Sequence, residues 1–104
     1  MVCWAWNSDL SISVGYANKG IDETHAHLQI TEIYLVACGT AEIRVEHETI
    51  ALVAGDMIAI EPNEAYTFLS ISPDYFHFVI HTPGLSGEAA LAEKSPVSRD
   101  RLGL

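Results

Sequence analysis

The chain has 104 residues, of which 49% are hydrophobic, and a formal net charge of −9 at pH 7. This length and composition favour a single domain with its own core, spanning residues 1–104. Nucleic acids and anionic membrane surfaces are excluded as partners, because both require a basic patch and this acidic chain has none.

The cysteines and the first residues indicate a reducing compartment. Cys3 and Cys38 are too few for a disulfide framework, so we expect free thiols. The segment from Met1 to Asn7 has no basic stretch followed by an apolar run, which disfavours a signal peptide. No stretch approaches the roughly 18 apolar residues of a transmembrane helix. We therefore expect a cytoplasmic protein.

Short alternating segments follow one another along the chain and predict strands. In chain order they are Ser11–Tyr16, His25–Ile30, Glu32–Ala37, Ala41–Glu46, Thr49–Val53, Met57–Ile60, Ala65–Ile71 and Tyr75–His81. Turn signals such as Gly39-Thr40 and Ser72-Pro73-Asp74 separate them. About eight short strands without alternating helices predict an all-β sandwich or barrel.

The last predicted strand contains two more histidines. Phe76, Phe78 and Ile80 share one face and have the composition of a core face. Because side chains alternate along a strand, His77 and His81 then lie on the opposite face. We expect both histidines at the surface or in an interface.

The segment that carries chemistry begins with a pair of histidines. His25 and His27 are two residues apart on a predicted strand, so their side chains share one face. Glu32 on the next strand adds a carboxylate, and Tyr34 lies on the same face as Glu32, which indicates an enclosed lining that binds a small molecule. Two histidines and a carboxylate suit divalent Fe, Mn, Co, Ni or Zn. The alternative is a cluster of polar side chains that satisfy one another.

The spacing of these residues resembles the first sequence motif of the cupin superfamily. That motif has a glycine, a His-x-His pair, a glutamate and a second glycine at set intervals. The matching residues here are Gly20, His25, His27, Glu32 and Gly39, with only the first interval one residue shorter.

The second cupin motif is retained in spacing but not in most identities. Gly55 matches it, whereas Glu61 replaces a proline, Asn63 replaces a glycine and Ser70 replaces an asparagine. Tyr66 stands where the family has a histidine that supplies the fourth metal ligand. The resemblance therefore implies that His25, His27, Glu32 and Tyr66 form the metal site.

The resemblance also implies a fold and an assembly. It predicts a small double-stranded β-helix, or jelly-roll barrel, with its core over about residues 10–83, and a homodimer. We expect the tail, residues 84–104, to be irregular or to pack on a neighbouring subunit.

Tyr66 leaves three roles open, since a neutral phenol is a weak ligand. It binds the ion as a phenolate, or it stands off and hydrogen-bonds a metal-bound water or ligand, or the ion is weakly bound or absent. In an enzyme, Tyr66 would be catalytic by orienting the bound molecule or donating a proton to it.

Three function classes are compatible with these residues. The first is a metal-dependent enzyme acting on a small molecule, such as an oxygenase or an isomerase. The second is a non-catalytic barrel that binds a small ligand and has a degenerate metal site. The third, a structural dimerisation domain, is the weakest, because such a domain needs no His-x-His and Glu set. Fold alone does not choose between the first two.

Overall fold

In the computed structural model, residues 2–5, 12–18, 23–83 and 94–104 are described, and strands dominate these ranges. The strands are β1 (Val2–Ala5), β2 (Ser13–Ala17), β3 (His25–His27), β4 (Thr31–Cys38), β5 (Thr40–Val45), β6 (Glu48–Val53), β7 (Met57–Ile60), β8 (Tyr66–Ile71), β9 (Phe76–Thr82) and β10 (Lys94–Pro96). A short 3-10 helix spans Arg99–Leu102. In the described part of the chain, no helix has the length and apolar content needed to cross a membrane.

Two five-stranded antiparallel sheets enclose the core. The first sheet has the order β1-β2-β9-β4-β7, and the second has the order β10-β3-β8-β5-β6. The inward residues of both sheets form one apolar cluster, as the alternation of side chains along each strand requires. Its buried members are Tyr34, Val36, Ala41, Ile43, Leu52, Ile60, Tyr66, Phe68, Tyr75 and Val79. The predicted all-β jelly-roll fold is confirmed.

The predicted strands correspond to β2 through β9, with ends that differ by a few residues. Met57–Ile60 has the predicted bounds. The structure adds β1 and β10, neither of which was predicted from the sequence. Both lie at sheet edges, where a strand needs less apolar character than a strand buried in the middle.

The face assignment predicted for the last strand is wrong. His77 and Val79 point into the barrel and are each 3% exposed, whereas Phe78 is 44% exposed. His81 also points inward, as its partners below show. Composition favoured the wrong face, because the aromatic residues lie on the outer face of β9 and the two histidines lie on the inner face.

The outer face of the first sheet carries a row of apolar side chains across four strands. Tyr16 of β2 lies opposite Phe78 of β9, Phe78 lies opposite Leu35 of β4, and Leu35 lies opposite Met57 of β7. Tyr16 is 44% exposed and Met57 is 68% exposed. We refer to these four residues as the outer apolar row.

The tail differs from the irregular segment that we expected. Within residues 94–104, β10 pairs with β3, and Leu102 is fully buried against Ala26 and Ala65 on the outside of the second sheet. The Arg44 Nε donates to the Leu102 carbonyl at 2.9 Å. The tail therefore covers its own barrel. Residues 84–93 lie outside the described part of the chain.

Gly39 makes the turn between β4 and β5, and only glycine fits there. Its φ of +79° lies in the left-handed region, which L side chains rarely adopt. A Cβ at Gly39 would also lie 2.6 Å from the Tyr75 Cα and 2.7 Å from the Tyr75 backbone nitrogen. Gly55, with φ +93°, has open space at the same position.

We predict that Gly39→Ala destabilises the fold at least twice as much as Gly55→Ala. Both substitutions force alanine into a left-handed conformation, at a cost of about 1–2 kcal/mol. Only Gly39→Ala adds a clash with backbone atoms. Urea denaturation followed by circular dichroism measures both free energies of unfolding, and equal losses would contradict the steric argument.

Candidate functional site

The paired histidines lie on β3, which is held between two other strands. His25 lies opposite Tyr66 of β8 and opposite Pro96 of β10. Because the strand alternates, His25 and His27 point into the barrel while Ala26 points outward to the tail. The two histidines are 1% and 7% exposed. The prediction that they share one face is confirmed.

Glu32 enters the same space from the first sheet. In β4, Glu32, Tyr34 and Val36 form the buried face, with 4%, 3% and 4% of their surfaces exposed. Glu32 lies directly opposite His81 of β9. Cross-strand neighbours point to the same side of a sheet, so the register places the His81 side chain beside the Glu32 carboxylate.

The carboxylate of Glu32 is the point at which these side chains converge. His81 Nε2 donates a hydrogen bond to Glu32 Oε2. His27 Nε2 lies 3.4 Å from the same oxygen. One ligand atom from each of His27, Glu32 and His81 lies within 4.8 Å of the others. We call these three residues the Glu32 centre.

Two tyrosines complete the polar lining. The Tyr66 hydroxyl donates to Glu32 Oε1, the oxygen that does not face the histidines. The Tyr34 hydroxyl lies 3.1 Å from the Tyr66 hydroxyl. Tyr66 is completely buried, so its phenol faces the carboxylate and not solvent.

These contacts determine the charge of the centre. Burial alone would raise the pKa of Glu32, but His27 and His81 outweigh it and hold that pKa well below its usual range. Burial, reinforced by the Glu32 charge, raises the pKa values of Tyr34 and Tyr66 well above 10. The carboxylate is therefore ionised and both phenols keep their protons at neutral pH.

His25 stands beside the centre. Its Nδ1 donates to the Glu23 carbonyl at 2.9 Å, which leaves the lone pair on Nε2. The His25 ring is 4.5 Å from the Tyr66 ring and 5.3 Å from the His27 ring, measured between centroids. Burial lowers the pKa of His25, so the ring is neutral at pH 7. The Glu32 centre itself does not include His25.

The residues of the Glu32 centre fit a divalent transition metal ion. In the described part of the chain, neither ring nitrogen of His27 has a hydrogen-bond partner, although both atoms are buried. Leaving buried polar atoms unsatisfied costs free energy, and a bound ion would remove that cost for one of them. Two imidazoles and one carboxylate are also a donor set suited to Fe, Mn, Co, Ni or Zn.

Sequence reasoning brought three residues to the right place and missed a fourth. The structure groups His27, Glu32 and Tyr66 as predicted, with Tyr34 adjoining them. His81 was missed because the face assignment of the last strand placed it outside the barrel, and because its contact with Glu32 also depends on the β4–β9 register. The ligand roles of His25, His27, Glu32 and Tyr66, the catalytic role of Tyr66 and the substrate-binding role of Tyr34 stay predictions.

A depression of about 470 Å³ opens beside strands β6 and β7. The residues that line it are Val45, Glu46, His47, Glu48, Ile50, Ile58, Ala59 and Glu64. Among the described residues, its lining does not include the Glu32 centre. The depression is therefore distinct from the buried polar site.

A second buried polar pair lies deeper in the barrel. The Tyr75 hydroxyl and His77 Nδ1 share a hydrogen bond. The His77 ring is 4.4 Å from the Tyr34 ring between centroids. Burial lowers the pKa of His77 from 6.5 to about 4, against a smaller opposing effect of Glu32. His77 is therefore neutral at pH 7.

Comparison with known proteins identifies the class of barrel. The family model for the AraC-like ligand binding domain matches residues 10–100. No curated protein sequence matches the chain significantly.

Solved structures with the same fold include proteins of low sequence identity to this chain. A variant of Pac13 from Streptomyces with uridine has a TM-score of 0.77 and 15% identity, over 93% of this chain and 77% of that chain. Pac13 is a nucleoside dehydratase. A cupin protein from Bacteroides fragilis has a TM-score of 0.59 and 29% identity, over 74% of this chain and 71% of that chain. KdgF from Halomonas sp. has a TM-score of 0.66 and 20% identity, over 86% and 81%.

We predict that His77 makes the fold less stable in mild acid. The unfolded chain binds a proton at this histidine below about pH 6.5, whereas the folded chain binds it only near pH 4. Between these values the unfolded state holds more protons, so the free energy of unfolding falls as the pH falls. From pH 7.5 to 4.5 the loss from His77 is ~2.5 kcal/mol.

The exposed His47 supplies the matched control. Urea denaturation of His77→Gln and His47→Gln at the two pH values measures the difference. His77→Gln should lose less stability on acidification, by the amount given above, whereas His47→Gln should behave as the parent protein does. Equal pH dependence in the two variants would rule out His77 as the source.

Proposed function

The chain belongs to the AraC-like ligand binding domain family within the cupin superfamily, and from this we propose that its barrel binds a small molecule at a metal ion held by the Glu32 centre. His27, Glu32 and His81 would hold the ion. The observation that carries this proposal is the convergence of three buried ligand atoms within 4.8 Å of one another.

The chain's own residues set the properties of that site. Glu32 supplies the negative charge that a cation needs, and it is already ionised at neutral pH. His81 Nε2 hydrogen-bonds Glu32, so this nitrogen would have to give up that hydrogen bond, with the imidazole proton on Nδ1, before it could ligate an ion. A divalent ion bound there would act as a Lewis acid towards an oxygen atom of the ligand.

Three protein ligands would leave positions open for that oxygen-bearing molecule. His25 is the nearest further imidazole, and its Nε2 carries a lone pair. We propose that the bound molecule, and His25 where the ion needs a fourth protein ligand, occupy these open positions. Oxygen consumption with candidate substrates would distinguish an oxygenase from a barrel that only binds its ligand.

A second candidate is a ligand-binding barrel that works without a metal. One observation favours it: Tyr66 and His81 already hydrogen-bond the two oxygens of Glu32. The Glu32–His81 pair would then hold a polar ligand or transfer a proton to it. The similarity in fold to Pac13, which is known with uridine, fits a ligand of nucleoside size and polarity.

We predict that the purified protein takes up about one equivalent of Zn²⁺ or Mn²⁺ and that His27→Ala and His81→Ala abolish this uptake. Each substitution removes one of three ligands. Elemental analysis by mass spectrometry after dialysis measures the metal content. The exposed His47→Ala is the matched control and should bind as the parent protein does.

The same measurement on His25→Ala separates two ligand sets. Retained uptake in His25→Ala with loss in His81→Ala supports the Glu32 centre. Loss in His25→Ala with retention in His81→Ala would support the set implied by the first cupin motif instead. Absence of metal from the parent protein, even after incubation with Fe, Mn, Ni and Zn, would favour the metal-free barrel.

We also propose that two copies of the chain meet through the outer apolar row. The row contains no ionisable side chain apart from the phenol of Tyr16. On a chain with a net charge of −9, a neutral face lets two copies approach without bringing like charges together. A flat sheet face can also pair with itself about a two-fold axis.

We predict that Phe78→Asp converts the dimer into a monomer. Phe78 lies in the middle of the row, so a carboxylate there would be buried opposite its own copy at a large desolvation cost. Light scattering coupled to size-exclusion chromatography measures the mass. Val53→Asp, on an exposed apolar residue of the second sheet, is the control and should stay dimeric. A parent protein that is monomeric at high micromolar concentration would refute the proposal.

A further inference from the structure

Three buried polar groups stand in series inside the barrel. The Tyr34 hydroxyl contacts the Tyr66 hydroxyl at 3.1 Å, and the Tyr66 hydroxyl contacts Glu32 Oε1. The three residues are 3%, 0% and 4% exposed. Tyr34 comes from the first sheet and Tyr66 from the second, so the series crosses the barrel.

The direction of each hydrogen bond in the series follows from the number of protons. An ionised carboxylate only accepts, so Tyr66 must donate its single hydroxyl proton to Glu32. The Tyr66 oxygen can then only accept from Tyr34, which must donate. Tyr66 is thereby engaged on both sides, by a donor and by an acceptor.

The two oxygens of the Glu32 carboxylate therefore have different partners. Oε1 is held by Tyr66, and Oε2 faces His27 and His81. We propose that Tyr34 is a positioning residue that acts on Glu32 through Tyr66 and keeps Oε2 directed at the histidines. The inference rests on the function proposed for the Glu32 centre.

The contacts of Tyr34 favour this role over direct contact with a bound molecule. Its hydroxyl is already used by Tyr66, and its ring packs against Phe68 and His77 in the core. Partners that hydrogen-bond a metal ligand orient it, and losing one typically weakens metal affinity by about 10–100-fold. The phenol of Tyr34 is one step further from the ion, so we expect the lower end of that range.

The test compares Zn²⁺ affinity in Tyr34→Phe, Tyr66→Phe and the double variant by isothermal titration calorimetry. Tyr34→Phe keeps the ring and removes only the hydroxyl. It should weaken Zn²⁺ binding about 10-fold, and Tyr66→Phe should weaken it at least as much. The double variant should bind no more weakly than Tyr66→Phe alone, because the proposed route from Tyr34 to Glu32 runs through the Tyr66 hydroxyl.

Tyr75→Phe is the matched control. Tyr75 is also buried, but its hydroxyl bonds His77 and not the series. Tyr75→Phe should leave Zn²⁺ affinity unchanged, which separates positioning from general damage to the core. Equal weakening in Tyr75→Phe and Tyr34→Phe would overturn the proposal.

Two further results would overturn it while leaving the proposed metal site intact. One is unchanged Zn²⁺ affinity in Tyr34→Phe. The other is a double variant in which the two effects add in full, since Tyr34 would then act by another route.

Proton NMR gives a readout that does not depend on metal. A hydroxyl proton shared between a buried phenol and a carboxylate exchanges slowly enough to be followed, and its resonance reports the strength of its hydrogen bond. Tyr34→Phe should shift the resonance of the Tyr66 hydroxyl proton, whereas Tyr75→Phe should not. If the parent protein binds no Zn²⁺ the proposed metal function fails, and an unmoved Tyr66 resonance would then overturn the positioning role separately.

Discussion

The arrangement of the barrel depends on one buried, ionised carboxylate, which must be paired and hydrogen-bonded. Moving such a group out of water costs several kcal/mol unless it is paired and hydrogen-bonded. Glu32 meets this requirement through donors on separate strands: Tyr66 on β8 and His81 on β9, with His27 of β3 close by. These strands belong to two sheets, so satisfying one carboxylate fixes how the sheets face each other.

The same requirement explains why tyrosines accompany the carboxylate in the interior of the barrel. Tyr34 and Tyr66 have large apolar rings that pack in the core, and their hydroxyl groups extend to the carboxylate. The ring of each tyrosine packs in the core while its hydroxyl group binds at the site. One residue with both roles is useful in a small domain, because such a domain has few interior positions. His77 and Tyr75 repeat this solution further along the barrel, where each satisfies the other.

Local pattern was sufficient to predict most of the strands and two of the three residues of the Glu32 centre, His27 and Glu32. The alternation in Glu32–Ala37 placed Glu32 and Tyr34 on one inward face, and the interval between His25 and His27 placed both on another. The contribution of His81 depends on which residue of β9 lies opposite Glu32, and register is set by the whole sheet. The same limit applies to the tail, where β10 has little strand character of its own and forms because β3 offers an unpaired edge.

The position of β3 connects binding at the centre to the integrity of the fold. This strand has three residues and pairs with β10 through all three, but with β8 only through His25 and Tyr66. His27 is thus held mainly by the tail, which Leu102 fastens to the outside of the second sheet. His27 of β3 and Glu32 of β4 belong to different sheets, so a ligand or ion that contacted both would bridge the sheets. The bridge would lie beside β3, the strand with a single residue pair to β8. A ligand or ion bound there would therefore stabilise the fold, since whatever binds only the folded state shifts the folding equilibrium towards it.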